Sequence, residues 1–264
     1  MLAIDHKGCI MKILLIKLGG SILHELHESF FTSLKELQAE GYQLVFVHGG
    51  GPDINDMLDT LNIVPEFHNG LRKTTKEVLG VVELVLSGRT NRSLVSLLRN
   101  NGFEAIGMHG NDGLLYGEHI DQATFGEVGE ITEVNSELLK QMLLFGLIPV
   151  VTPLAQTIDG FTLNINADMA AGAVAKALNA ESCVFVTDVK GVLQNDVLVE
   201  QLSKEKVEQL IEEKVIYGGM IPKVNTALRV LETGIEHVRI VSGKEQFFID
   251  SKWIGTAFLE KVGV

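Results

Sequence analysis

Short apolar runs rich in β-branched residues alternate with segments of helical spacing from one end of this chain to the other. The run at 12–18 (KILLIKL) is interrupted only by lysines and stops at Gly19-Gly20, which predicts a strand. Leu26, Phe30, Phe31, Leu34 and Leu37 recur at helical spacing over 25–39, and Gly41 ends the pattern. A second buried strand is expected at 43–47, running into His48-Gly49-Gly50-Gly51-Pro52, with a helix at about 53–61. Thr74-x-x-Glu77 has the form of a capping box and is expected to open a long helix reaching about residue 99. Further strands are predicted at 103–108, 147–151, 183–186 and 238–241, with a turn-rich hairpin region at 110–117. Helices are predicted at 135–146, 167–178, 203–212 and 222–231. Repeated strand–helix–strand units predict an α/β fold, a mainly parallel sheet with helices on both faces. A lobe boundary is expected at 178–182, where the Ala-rich helix ends, so that 1–10 is a leader of unclear role, 11–180 an N-terminal lobe and 181–264 a C-terminal lobe.

The helix expected near 75–99 stands out. Val78, Leu79, Val81, Val82, Leu84, Val85 and Leu86 leave almost no polar face in its first half. A helix apolar all round must be covered all round. The sheet can cover one side and a second copy of the chain the other, which predicts a homodimer built on this helix. The alternative is a helix buried wholly within one chain.

Composition narrows the class. With 264 residues, 46% hydrophobic and 21% charged, the chain is globular and can bury a sizeable core. Its 22 basic against 34 acidic residues give a formal charge of −12. That argues against a nucleic-acid partner, which needs a basic footprint. Small anions stay open as ligands, because a local cation cluster can oppose the global sign. Cys9 and Cys183 stand outside any CxxC, so neither a disulfide framework nor a cysteine metal site is expected, and thiols in a reducing cytoplasm are. Asp5, His6 and Lys7 break the apolar stretch a signal peptide would need. No run reaches the roughly 18 apolar residues of a membrane span, so no membrane partner is expected. Met11 would serve as well as Met1 for a start.

Ligands of open α/β sheets bind beyond the carboxyl ends of strands. Two glycine clusters stand at such places, Lys17-Leu18-Gly19-Gly20-Ser21 and His48-Gly49-Gly50-Gly51. Glycine there admits a ligand to the backbone and exposes N–H groups to an anion, or else simply makes a tight turn. Neither cluster has GxGxxG spacing, and Ser242-Gly243-Lys244-Glu245 is not a P-loop. Lys17 lies between Ile16 and Leu18, where a charge is costly unless paired or ligand-bound. The alternative is an edge strand whose lysine reaches solvent. Lys223 follows Gly218-Gly219-Met220-Ile221-Pro222, with Pro222 expected at the first helical position. A cation in a first turn opposes the macrodipole unless an anion joins it, so this segment suits a phosphate or is an ordinary exposed lysine. Asn164-Ile165-Asn166-Ala167-Asp168 sets three polar side chains before a helix that needs one cap. Arg72, after Asn69-Gly70-Leu71, either grips a carboxylate or lies on the surface. Asp188-Val189-Lys190-Gly191-Val192-Leu193 follows a buried strand and is a weak motif alone.

In combination these motifs, in this order, resemble the amino-acid kinase superfamily, and within it the N-acetylglutamate kinases. The resemblance runs from Met11 to the end, with Asn69-Gly70-Leu71-Arg72 and Asn164-Ile165-Asn166-Ala167-Asp168 its most specific parts. It implies a three-layer α/β/α sandwich with a mainly parallel central sheet. It also implies ATP-dependent phosphorylation of the side-chain carboxylate of N-acetyl-L-glutamate, the second step of arginine synthesis. Acetylglutamate and the dimer contact would belong to the N-terminal lobe and ATP to the C-terminal lobe. The implied catalytic residues are Lys17, Asp168 and Lys223, with Asp168 holding both lysines. Gly50, Gly51, Arg72 and Asn164 would bind the substrate. Gly19, Gly20, Asp188, Gly191, Leu193, Tyr217 and Gly219 would bind ATP, with Mg²⁺ carried on its phosphates and no protein metal ligand. The residues agree with that chemistry on their own terms. A carboxylate is already a nucleophile at neutral pH, so no general base is required, and His48 reads as structural.

Rival readings are weaker. Aspartokinases usually add regulatory domains and glutamate 5-kinases often a C-terminal RNA-binding-like domain, and this chain stops short of both. Uridylate kinases would be expected to show more basic residues near the acceptor. A kinase for carrier-protein-bound α-aminoadipate or glutamate is the nearest alternative, although an acidic surface repels an acidic carrier. A non-catalytic amino-acid or nucleotide sensor on the same fold is disfavoured by the presence of Lys17, Asp168 and Lys223 together. Feedback-inhibited members carry an extra N-terminal helix that links dimers into a ring. Ten residues that include Gly8 make a poor helix of that kind, so a plain homodimer insensitive to arginine is expected.

Overall fold

The computed structural model describes residues 11–260. The leader expected at 1–10, Cys9 within it, and the ring-forming argument that depends on it lie outside the described residues, as do residues 261–264.

Eight strands form one sheet in the order Gln201–Leu202, Thr256–Phe258, His237–Ser242, Ser182–Thr187, Lys12–Leu18, Tyr42–His48, Ile148–Val151, Ala105–Met108. Neighbours are parallel except for Thr256–Phe258 against His237–Ser242. The sheet crosses the division expected at 178–182 without a break. Lys12–Leu18 is flanked by Ser182–Thr187 and Tyr42–His48, which removes the edge-strand alternative for Lys17.

Side chains of this central strand alternate between two cores. Leu14, Ile16 and Leu18 pack with Phe30 and Leu34 of helix Glu28–Ala39 and Leu94 and Leu98 of helix Asn91–Asn100. Ile13 and Leu15 pack with Ala170, Ala171 and Val174 of helix Ala167–Leu178 on the opposite face. These two cores make the three layers. A period of two puts Lys17 on the face of Ile13 and Leu15, at the level where helix Ala167–Leu178 begins.

The long helix departs from expectation in two ways. Thr75, not Thr74, caps it, its Oγ1 accepting the Val78 N–H at 3.3 Å. The rod then runs as α-helix over Lys76–Glu83, as a wider π turn over Leu84–Thr90 and as α-helix again over Asn91–Asn100. Val78, Val81, Val82, Val85 and Leu86 are buried within the chain against Ile54, Leu58 and Leu154. Leu84 is the large apolar residue left outside, 63% exposed.

A second β-element was not anticipated. Leu115–His119, Val128–Val134, Leu154–Gln156 and Thr162–Ile165 close into a four-stranded barrel. Leu115–His119 and Val128–Val134 mix glycine and glutamate, and the other two strands are only three and four residues long, so they carry little strand signal. Helix Met220–Leu231 starts two residues earlier than expected, which puts Pro222 at its third position rather than its first.

Candidate active site

The carboxyl ends of Lys12–Leu18 and Tyr42–His48 lie side by side, so the two glycine loops meet. The Gly49 N–H donates to the Leu18 carbonyl at 2.8 Å. A Cβ on Gly20 would stand 2.9 Å from the Gly50 Cα and 3.0 Å from the Gly50 and Gly51 nitrogens. Only glycine allows that approach. Helix Gly51–Thr60 begins here with no side-chain cap, so the positive end of its dipole faces the loops. Behind them His48 is fully buried. Its Nδ1 lies 3.0 Å from the Gly49 carbonyl, and its Nε2 faces the Asn91 amide nitrogen at 3.1 Å. That amide also donates to the Val150 carbonyl at 2.8 Å. Burial pushes the His48 pKa down to about 4, which makes it a neutral strut.

Lys17 reaches along its face of the sheet to Asp168, Nζ to Oδ1 2.6 Å, with 15% of its side chain exposed. The three polar side chains before helix Ala167–Leu178 divide the work. Asn166 is the cap, its Oδ1 accepting the Asp168 and Met169 N–H groups at 2.9 and 3.2 Å. Asp168 pairs with Lys17 through Oδ1. Asn164, on a strand of the barrel, turns its amide to Thr74. Of the two lysines expected at Asp168, Lys17 meets it here. Lys223 Nζ donates to Asp188 Oδ1 at 2.6 Å, because its helix starts beside the end of strand Ser182–Thr187. That hydrogen bond holds the Asp188 carboxyl below the usual range.

Lys17, Gly19, Asp168, Asp188 and Lys223 line one cavity of about 210 Å³, together with Ser21, Thr187, Pro222 and Thr226. The start of helix Met220–Leu231 offers few free N–H groups. Those of Met220 and Ile221 donate to the Tyr217 and Gly218 carbonyls at 3.2 Å, and Pro222 has none. An anion there would meet the Lys223 ammonium instead.

Lys223 also lines a neighbouring cavity of about 350 Å³, with Gly191, Leu193, Tyr217 and Gly219 and with Val189, Val192, Val215 and Met220. Its walls are mostly apolar, as a flat aromatic ring requires. Gly191 is needed for the chain to pass. Its φ is +145°, and a Cβ would lie 2.4 Å from the Thr256 Oγ1 that accepts the Val192 N–H at 2.8 Å.

Arg72 ends the hairpin of Phe67–His68 and Leu71–Arg72. Its Nη2 donates to Asn55 Oδ1 at 2.6 Å and to the Gly51 carbonyl at 3.5 Å, and its guanidinium lies 4.7 Å over the Phe67 ring. Nη1 is buried without a hydrogen-bond partner, and burial lowers the Arg72 pKa. A buried guanidinium donor with no acceptor is an opening for a carboxylate. Asn164 donates from Nδ2 to Thr74 Oγ1 at 2.9 Å. Asn55 had no place among the expected site residues, and Thr74, which closes the motif Asn69-Gly70-Leu71-Arg72-x-Thr74, had no role of its own there. For Thr74 the available signal was its spacing, two residues beyond Arg72.

Residues 12–242 match the model of the amino acid kinase family. The chain is 50% identical over 254 residues to the acetylglutamate kinase of Geobacillus stearothermophilus, covering 96% of this chain and 98% of that one. It is 47% identical over 250 residues to the acetylglutamate kinase of Bacillus subtilis strain 168, covering 94% and 97%. Among solved structures, smu.665 from Streptococcus mutans UA159 superposes with a TM-score of 0.83 at 32% identity, over 96% of this chain and all of that one.

Proposed function

Since this chain belongs to the amino acid kinase family and matches acetylglutamate kinases over almost its whole length, we propose that the cavity between Lys17 and Lys223 is where it moves a phosphoryl group. The chain is an ATP-dependent kinase of N-acetylglutamate in arginine biosynthesis. An oxygen of the substrate's side-chain carboxylate attacks the γ-phosphorus, the bond from that phosphorus to the β,γ-bridging oxygen breaks, and ADP leaves. The observation that carries the site assignment is two lysines facing one cavity, each anchored by a separate carboxylate.

Phosphoryl transfer to an anion requires positioning and charge neutralisation rather than a base. Lys17 and Lys223 neutralise charge on the transferring group and the leaving oxygen. Asp168 and Asp188 keep the two ammonium groups from turning away. The loops at Gly19-Gly20 and Gly50-Gly51 bring backbone N–H groups and an uncapped helix start to the phosphoryl and substrate oxygens. Arg72 takes a substrate carboxylate on Nη1, and Asn164 contacts the same end of the molecule. Gly191, Leu193, Tyr217 and Gly219 surround the base of ATP in the apolar cavity. Mg²⁺ would supply further neutralisation, carried on the phosphates of ATP. Acetylglutamate thus belongs to the 11–180 side and ATP to the 181–264 side.

Two copies of the chain associate through the helix region 76–100, where Leu84 is exposed between Gly80 and Gly88. Among the described residues no helix is long and apolar enough to cross a membrane, and a biosynthetic kinase consuming ATP works in the cytoplasm. The test is a coupled assay of ADP release with acetylglutamate, run beside free glutamate, aspartate, uridylate and carbamate. Turnover with acetylglutamate at a kcat/KM well above the other acceptors supports the reading, and preference for another acceptor overturns it.

A further inference from the structure

The two substrate-binding side chains, Arg72 and Asn164, are 92 residues apart in sequence and sit on different elements, a short hairpin and the barrel. One buried hydroxyl joins them. Thr74 is 0% exposed. Its Oγ1 donates to the Arg72 carbonyl at 2.9 Å and accepts the Asn164 Nδ2–H at 2.9 Å. A hydroxyl has one proton, and here the Arg72 carbonyl takes it. Asn164 must therefore meet Thr74 with its amide nitrogen, which turns the Oδ1 end away.

The backbone of Thr74 is fastened as well. Its N–H donates to the Phe125 carbonyl at 2.8 Å, and its own carbonyl accepts the Glu127 N–H at 2.7 Å. The Glu127 carbonyl in turn accepts the Asn164 N–H at 2.9 Å. Gly126 makes this contact possible, since its φ is +71° and a Cβ would lie 2.3 Å from the Thr74 carbonyl oxygen. At the tip of the hairpin ahead of Arg72, Asn69 and Gly70 turn with φ of +50° and +81°, and Phe67 is half exposed. Position is therefore imposed on Arg72 from its base, and from the same atom that orients Asn164.

We propose that Thr74 is a positioning residue that sets Arg72 and Asn164 in register for one substrate, an assignment that rests on the reading of those two residues as the acetylglutamate site. Thr74 touches neither substrate nor phosphoryl group and acts through its neighbours. Thr74→Val keeps the shape, removes the hydroxyl, takes a partner from each neighbour and frees the Asn164 amide to turn over. Thr74→Ser keeps the hydroxyl.

The experiment measures ADP release by wild type, Thr74→Val and Thr74→Ser, varying acetylglutamate at saturating ATP and ATP at saturating acetylglutamate, with a thermal melt of each protein. Thr74→Val is expected to raise the KM for acetylglutamate about ten-fold while the KM for ATP stays within about two-fold, and Thr74→Ser to restore the wild-type value to within about three-fold. A merely structural role would lower the melting temperature and the active fraction without separating the two KM values. The proposal is overturned if Thr74→Val leaves the acetylglutamate KM unchanged, if both KM values rise alike, or if serine fails where valine fails. Should valine not fold, Thr74→Ala carries the same comparison against serine. Arg72→Ala is run alongside. If it raises the acetylglutamate KM and Thr74→Val does not, Thr74 alone is refuted. If wild type does not turn over acetylglutamate, the substrate reading falls and takes this proposal with it.

Discussion

Replacing Lys17 by methionine removes one charge and little volume. The site is a central strand, 15% exposed, with Ile13 and Leu15 on the same face, so an unbranched apolar side chain fits the slot. Two charges about 4 Å apart interact by about 4 kcal/mol at an effective dielectric near 20. Removing one preorganised donor from a developing oxyanion costs about 3–4 kcal/mol, or a factor of 10² to 10³ in kcat. The deep setting of Lys17 favours the upper part of that range. Asp168 then faces the phosphoryl group with no cation between them and adds repulsion. The expected result is a kcat lower by about 10²- to 10³-fold, with the KM for acetylglutamate within about three-fold. The melting temperature should fall by several degrees, because the pair is mostly buried and removing one partner of a buried pair leaves the other charge uncompensated, at a cost of up to about 3–5 kcal/mol. The double variant Lys17→Met, Asp168→Asn removes the stranded carboxylate and should be no slower than Lys17→Met alone. The assay is steady-state ADP release with a melt on the same preparations. A Lys17→Met enzyme within ten-fold of wild-type kcat would refute charge neutralisation by Lys17. A double variant that loses the product of both single losses would refute the idea that Asp168 acts through Lys17.

Lys223→Ala should lower kcat sharply, and Asp188→Asn less so, because it removes the anchor and leaves the charge; wild-type turnover by Lys223→Ala would end the two-lysine mechanism. Arg72→Ala should leave kcat near wild type and raise the KM for acetylglutamate about 10- to 100-fold, since it removes a charge-assisted pair with the ground-state carboxylate; an unchanged KM in initial-rate kinetics would take Arg72 out of the substrate site. His48 has a pKa of about 4 in the fold against 6.5 unfolded, so the unfolded chain binds the extra proton between those values. Its contribution of roughly 3 kcal/mol is therefore complete above pH 6.5 and is lost as pH falls towards 4; denaturant melts over that range should show this slope in wild type and lose it in His48→Gln, and equal slopes would refute it. Leu84→Glu should convert the expected dimer to a monomer by light scattering, and an unaltered mass would put the interface elsewhere.

Much of the site was legible because its residues break local rules. Lys17 in an apolar strand and Gly20 and Gly50 at strand ends are each awkward for an isolated segment, and such conflicts mark sites. Strand and helix existence followed from periodicity, and helix Ala167–Leu178 has the ends its composition suggests. Thr74 shows the limit. As a sequence signal Thr74-x-x-Glu77 reads as a cap, and the neighbouring Thr75 reads equally well by chemistry. Which of the two turns inward depends on strands around 126 and 164, and local pattern carries no information about them. The small barrel escaped for a related reason, since its polar and glycine-containing strands are stabilised by closure on one another rather than by an apolar run.

Alternation along the chain determined the layered α/β architecture, and the ordered set of motifs, through its resemblance to a known family, implied the class of reaction, because burial and backbone geometry restrict which residue types each position tolerates. Tertiary structure alone decided the partnerships. It gave Lys17 to Asp168 and Lys223 to Asp188, turned the long helix's apolar surplus mostly inward, and hung Arg72 and Asn164 on one hydroxyl. Apart from the bond between Thr74 and the Arg72 carbonyl, those contacts join residues from tens to about 150 positions apart. Their selection rests on which strand lies beside which, and that is settled by the packing of the whole chain.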